Sequence, residues 1–141
     1  MLAASQAGMA FSNASVALVH GMSRPIGAHF HVAHGLSNAM LLPAVTAFSV
    51  DSAPERYAQV ARVMKWATDS DSDESACVKL VEGLKQLNDD LEVPSPTKLG
   101  HVEDEKMFTL MASQALASGS PQNNPKVPTI DEIVELYHEM W

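Results

Sequence analysis

The sequence is short of cysteine, of basic side chains, of long apolar runs and of any strand pattern, and each shortage removes a class of protein. Cys77 stands alone, so no internal disulfide is possible, which excludes a disulfide scaffold and suits a reducing cytoplasm. It falls on the apolar face of a predicted helix and reads as a buried thiol rather than a nucleophile. Nine Lys and Arg stand against seventeen Asp and Glu, for a formal charge of −8. Nucleic acid is therefore not an expected partner, because phosphate contacts need clustered cations. No run of eighteen apolar residues occurs; the longest apolar stretch, Ala39 to Val50, is interrupted by Pro43 and Thr46, so no membrane span is expected. The Ala- and Met-rich start lacks the positive charge and cleavage pattern of a signal peptide, and the expected location is cytoplasmic. There is no internal repeat, and no Gly-x-Gly-x-x-Gly follows a strand.

What remains is helical. A chain of 141 residues with 46% hydrophobic content can bury one core without disulfides or metal staples, and the expected fold is all-α, a multi-helix bundle in which residues 1–141 form one domain. Residues 1–24 hold helix formers and many small residues, which predicts one central, closely packed helix ending at Arg24-Pro25, where the proline disfavours helical backbone before it. The next helix, about 34–49, is apolar nearly all round, and Pro43 should bend or split it. Ala53-Pro54 starts another, with Tyr57, Val60, Ala61 and Met64 as its core face. Asp69 to Asp73 reads as a solvated turn, because it lacks the glycine and distal glutamate of a calcium loop. Asp71 with Glu74 suggests a capping box for a helix carrying Cys77, Leu80, Val81, Leu84, Leu87 and Leu91. Gly83 within it costs about 1 kcal/mol of helix propensity relative to alanine, which packing must offset. A helix from about Val102 to Ala117 should bury Met107, Leu110, Met111 and Ala115. Thr129 to Glu132 is a capping box for the last helix, whose stripe is Ile130, Ile133, Val134, Tyr137 and Trp141. His101 and His138 read as solvated.

Four of the six histidines, His20, His29, His31 and His34, fall within fifteen positions. The expectation is a helix closed by His20, a turn at Pro25 and Gly27, and a second helix opening near His34, so that two helix ends aim two imidazoles at one point. Imidazole suits Zn, Fe, Ni and Cu, and a catalytic site needs three or four protein ligands with a position left open. Any single histidine here is more simply a packed or solvated residue. His29 and His31 alternate in an expected extended piece and share a face with each other rather than with both helix ends.

The run from Ala17 to Pro43 resembles the second signature of the iron-containing alcohol dehydrogenases, with its two histidines fourteen residues apart and a glycine after the second: here His20 and His34-Gly35. Gly27 and Leu36-Ser-Asn-Ala-Met-Leu-Leu-Pro43 fit as well. Met1 to Asn13 resembles the helix before that signature, and Ser120-Pro-Gln-Asn-Asn-Pro125 the loop before the last helix, so the resemblance covers essentially the whole chain. It implies an NAD(P)-dependent enzyme acting on a small alcohol or aldehyde, in which His20 and His34 hold a divalent ion, Fe or sometimes Zn. Arg24 stands where many relatives carry a further active-site histidine, which puts in doubt any proton relay through that position. Ala33 replaces a frequent proline and only loosens a turn. Relatives are expected to be about twice as long, an ordinary size for two domains, with an amino-terminal α/β half that binds NAD(P) and supplies two more ligands. The chain then corresponds to the carboxy-terminal helical domain, inactive as a dehydrogenase by itself. The alternative is a non-catalytic helical module that self-associates through a cleft-facing patch of His20, Arg24, Phe30 and His34, or awaits a cofactor-binding partner. A metal-storage role for all four clustered histidines is a third reading, which needs His29 and His31 to bind as well.

Overall fold

A computed structural model describes all of residues 1–141. Seven α-helices and no strand follow in order: α1 Leu2–Ala14, α2 Leu18–Phe30, α3 His34–Ser49, α4 Pro54–Val63, α5 Asp73–Asp90, α6 Glu105–Ala117 and α7 Ile130–Met140. Short 3-10 turns lie at Val50–Ser52, Thr97–Leu99 and Ser120–Asn123. No single helix is long and apolar enough to cross a membrane.

Local chemistry sets the helix starts. Thr129 accepts from the Glu132 backbone N–H while the Glu132 carboxylate accepts from the Thr129 N–H at 2.8 Å, so the expected capping box forms at α7. Asp104 caps α6 by accepting from the N–H groups of Lys106 and Met107. At α5 the cap is Ser72, one residue beyond the expected Asp71. Asp71 is occupied in the preceding turn, where its carboxylate accepts from the Thr68 N–H at 2.8 Å and from Lys79 Nζ at 2.6 Å. These bonds hold its carboxyl at about 2, below the ordinary 3.8.

Two apolar clusters form. In the larger, α2, α3, α6 and α7 wholly bury Leu18, Met22, Ile26, Leu41, Phe108, Met111, Ile133 and Tyr137. The Tyr137 hydroxyl donates to the Met22 carbonyl at 2.8 Å, tying α7 to α2 inside the core. Burial raises that phenol well above its ordinary range. In the smaller cluster, Ala58, Ala61 and Ala76 let α4 and α5 approach closely around Cys77, Leu80 and Leu84. The Cys77 thiol is buried there, donates to the Pro54 carbonyl at 3.4 Å, and is pushed up by burial and then by Asp73, Asp51 and Glu74.

The expected helix over 1–24 is two helices. The chain breaks at residues 15–17, with Ser15 at φ 66, and the two helices are bent by 107°. The Asn123 amide pins this break by donating to Ser15 Oγ and the Val16 carbonyl. α1 buries none of its residues, contrary to the expected central position. α2 instead runs through Pro25 to Phe30, because Leu18, Met22, Pro25 and Ile26 recur at helical spacing and are all buried. An interior proline costs about 3 kcal/mol, and burying three large side chains at about 1.5–3 kcal/mol each offsets it. α3 likewise continues through Pro43. Val60, Met64, Leu87, Leu91 and Leu110 are exposed rather than in the core. α4 meets α5 through alanines, the 18-residue α5 outruns the 10-residue α4, and Phe108 takes the place in the core expected of Leu110.

Gly83 is explained by Trp66, whose indole would lie 2.4 Å from a β-carbon at that position. Gly83→Ala should therefore lower stability by about 1–3 kcal/mol, the usual cost of overpacking, although alanine is the better helix former; a denaturation midpoint equal to or above wild type would contradict this. Asp71 contributes stability that is present above its unfolded pKa and is lost as pH falls through the folded value near 2. The gap in urea midpoint between wild type and Asp71→Asn should accordingly be open at pH 5 and close towards pH 2.

Candidate metal centre

The site grows from the ends of α2 and α3. His20 lies in the first turn of α2 rather than at the end of a preceding helix, and His34 is the first residue of α3. The reversal between them falls at residues 31–33, with His31 in left-handed backbone at φ 57 closing α2, not at Pro25 and Gly27. This geometry brings the two rings together, with centroids 5.2 Å apart and planes at 58°. The Phe11 ring of α1 lies 6.5 Å from His20.

Both rings keep a free nitrogen. His20 makes no side-chain hydrogen bond, and His34 meets only the Asn38 amide, 3.2 Å from Nε2, leaving Nδ1 without a partner. Asn38 lies one turn along α3, and its buried Oδ1 has no hydrogen-bond partner. The Asn38 contact to His34 spans the four-residue spacing at which side chains on one helix face meet. The His20 pKa is lowered from 6.5 by burial first, then by His34 and by Arg24. At neutral pH the ring is held in the form that can donate a lone pair to a cation.

The other two histidines of the cluster are elsewhere. His29 is within α2, not in an extended piece, and its Nε2 is 2.9 Å from Gln114 Oε1 on α6. His31 is exposed. No group of three or more His, Cys, Asp or Glu side chains is placed to hold a metal ion, and His29 and His31 do not join His20 and His34 as a storage site built on four histidines requires. The donor set is thus two imidazoles, half of what a closed site needs, and it fits a borderline divalent ion completed by ligands from outside these residues.

Phe30, expected beside His20 and Arg24, packs instead against His101 and Trp141 at centroid distances of 4.8 and 5.0 Å. His101 is therefore not a partnerless loop residue, and its carbonyl accepts from Trp141 Nε1. His138 is a surface residue, as expected, and its two nitrogens face Glu103 and Glu105. Arg24 follows His20 by one turn, and its Nη1 donates to Ser120 Oγ at 3.1 Å.

The chain is thus an all-helical domain that presents a pair of converging histidines from adjacent helix starts. The profile described as Fe-containing alcohol dehydrogenase family, C-terminal, matches residues 1–141, and the chain belongs to that family as its C-terminal part. It is 40% identical over 135 residues to the lactaldehyde reductase of Escherichia coli (strain K12), covering 96% of this chain and 35% of that protein. It superposes on the crystal structure of a 1,3-propanediol oxidoreductase with a TM-score of 0.89 and 32% identity, over 96% of this chain and 35% of that one. An alcohol dehydrogenase from Oenococcus oeni gives a TM-score of 0.87 at 35% identity, with the same shares covered. The chain therefore spans about a third of the length of these relatives, not the half expected from the sequence.

Arg24→Gln removes a neighbouring positive charge, so the His20 titration midpoint, followed by ring NMR, should rise towards 6.5; an unmoved midpoint would contradict the arrangement. Because the folded state binds this proton less readily than the unfolded chain, the contribution of His20 is full above pH 6.5 and is lost as pH falls below it.

Proposed function

We propose that this chain supplies half of the metal site of an NAD(P)-dependent alcohol dehydrogenase, with His20 and His34 holding one divalent ion, iron or zinc. The observation that carries this is the approach of the two rings to 5.2 Å, with His20 free of side-chain hydrogen bonds and His34 held only by Asn38. When bound, the ion supplies Lewis acidity at the oxygen of a small alcohol or aldehyde, and the hydride chemistry belongs to the nicotinamide. The work of the chain itself is positional. The buried Leu18, Met22 and Ile26 fix the roll of α2 and so the direction of His20. Asn38 fixes the plane of His34 by holding one of its nitrogens.

Two imidazoles make a weak and poorly selective site, and the nicotinamide-binding residues are expected outside this chain. The 141-residue chain should bind Zn²⁺ weakly in a calorimetric titration, lose at least about tenfold in affinity, about 1.4 kcal/mol, on His20→Ala or His34→Ala, and show no NAD(P)-dependent oxidation of 1-propanol. Unchanged zinc affinity in both variants would remove the ligand assignment, and measurable turnover would overturn the claim of inactivity.

One observation favours a second reading, a helical module that self-associates. α1 leaves Leu2, Met9 and Phe11 more than half exposed, Phe11 near His20, and apolar surface of that kind invites a partner. An interaction module should keep its association state in sedimentation when both histidines are replaced, whereas a metal site loses its zinc response.

A further inference from the structure

The first third of the chain, which carries the histidine pair, is almost uncharged. Residues 1–50 contain no aspartate, glutamate or lysine, and Arg24 is their one side chain with a fixed charge. Seventeen acidic residues lie elsewhere in the sequence, and none pairs with it. The ion pairs of the chain involve Arg62, Lys79, Lys126 and His138. Arg24 makes a single hydrogen bond, from Nη1 to Ser120 Oγ. Ser120 is buried, and its own N–H donates to Ser118 Oγ, so the guanidinium is held at one corner by a fixed group.

Anchoring through Nη1 leaves Nε and Nη2 free. That edge presents two parallel N–H groups, the fork that matches the two oxygens of a carboxylate. Its place follows from the helix. Arg24 and His20 are four residues apart on α2, so their β-carbons are about 5–6 Å apart on one face, and His34 lies against His20. A guanidinium without a counter-ion beside two ligands for a cation adds like charge to the site. An anionic group on the bound molecule would balance it, and an uncharged alcohol would not.

We propose that Arg24 is a substrate-binding residue that selects an alcohol or aldehyde bearing a carboxylate, a short hydroxy acid or its semialdehyde, whose hydroxyl or carbonyl end faces the His20–His34 pair. The short spacing along α2 requires the two ends of such a molecule to be separated by only a few bonds. This rests on the reading of that pair as a metal site.

The chain has three arginines, Arg24, Arg56 and Arg62, so the Arg24 Nε–H is readily distinguished by NMR in arginine-labelled protein. The probes are 3-hydroxypropionate, 1-propanol and 2-hydroxyethyl phosphate, each added with and without Zn²⁺. The expected result is a saturable shift of Arg24 with 3-hydroxypropionate at concentrations at least tenfold below those at which 1-propanol or the phosphate acts. Zinc should tighten it. Arg24→Gln should weaken 3-hydroxypropionate at least tenfold without weakening zinc. Arg24→Lys keeps the charge without the fork; it should lose at least threefold, and it decides the matter if the Gln variant does not fold. Equal binding of 3-hydroxypropionate by wild type and the Arg24 variants overturns the proposal, as does a preference for 1-propanol or for the phosphate. If zinc fails to bind the wild-type chain, the metal reading falls, and the Arg24 response without zinc still decides the anion selectivity by itself.

Discussion

Burial of one face of α2 is the constraint on which the rest depends. Leu18, Met22 and Ile26 have no exposed surface, and their packing against α3, α6 and α7 fixes the rotation of the helix about its axis. A helix held by one face has no freedom in the other, so His20 and Arg24 are aimed by residues that never touch them. The approach is also close. A β-carbon on Gly21 would meet the Pro121 ring at 3.0 Å, so the Ser120–Asn123 turn sits directly on the helix backbone. The same turn supplies the hydroxyl that holds Arg24 and, through Asn123, the amide that holds the break before α2. Packing and site are in this sense one object.

The helical class, the capped start of α7, the buried thiol and the pairing of His20 with His34 are all legible in the sequence, because each rests on local spacing or on a distinctive signature. The misplaced features share a cause in tertiary contacts. Pro25 reads as a helix end by local rules, yet the buried stripe on either side of it carries α2 through. The small residues of α1 suggest close packing, yet this helix finds no partner among residues 1–141, and small side chains do not themselves say what approaches them. Val60 and Met64 match a helical stripe, but the neighbouring helix meets alanines instead. Asn38 and Ser120 were out of reach for a different reason: each acts on a residue of the site through one hydrogen bond, which no periodicity announces.

Charge is distributed unevenly, and this bears on what the domain can do. The acidic residues lie from Asp51 onward, where Arg62 with Asp73 and Lys79 with Asp71 stitch the turn between α4 and α5. The histidine pair therefore sits in the part of the chain where no carboxylate follows in sequence for sixteen residues past His34. No aspartate or glutamate joins the pair in a group that could hold a metal ion.

The lone cysteine has a use of a different kind. Its thiol is buried between α4 and α5, bonded to a carbonyl, and shifted away from the reactive thiolate, so a sulfhydryl reagent meets it slowly while those two helices stay together. The rate of alkylation is then a clock for local opening of the smaller apolar cluster, in the way that amide exchange reports opening of a helix. Since Cys77 lies in a different cluster from the residues beneath His20 and His34, the clock runs without disturbing the site, and it would tell whether filling the histidine pair quietens the whole domain or only the helices that carry it.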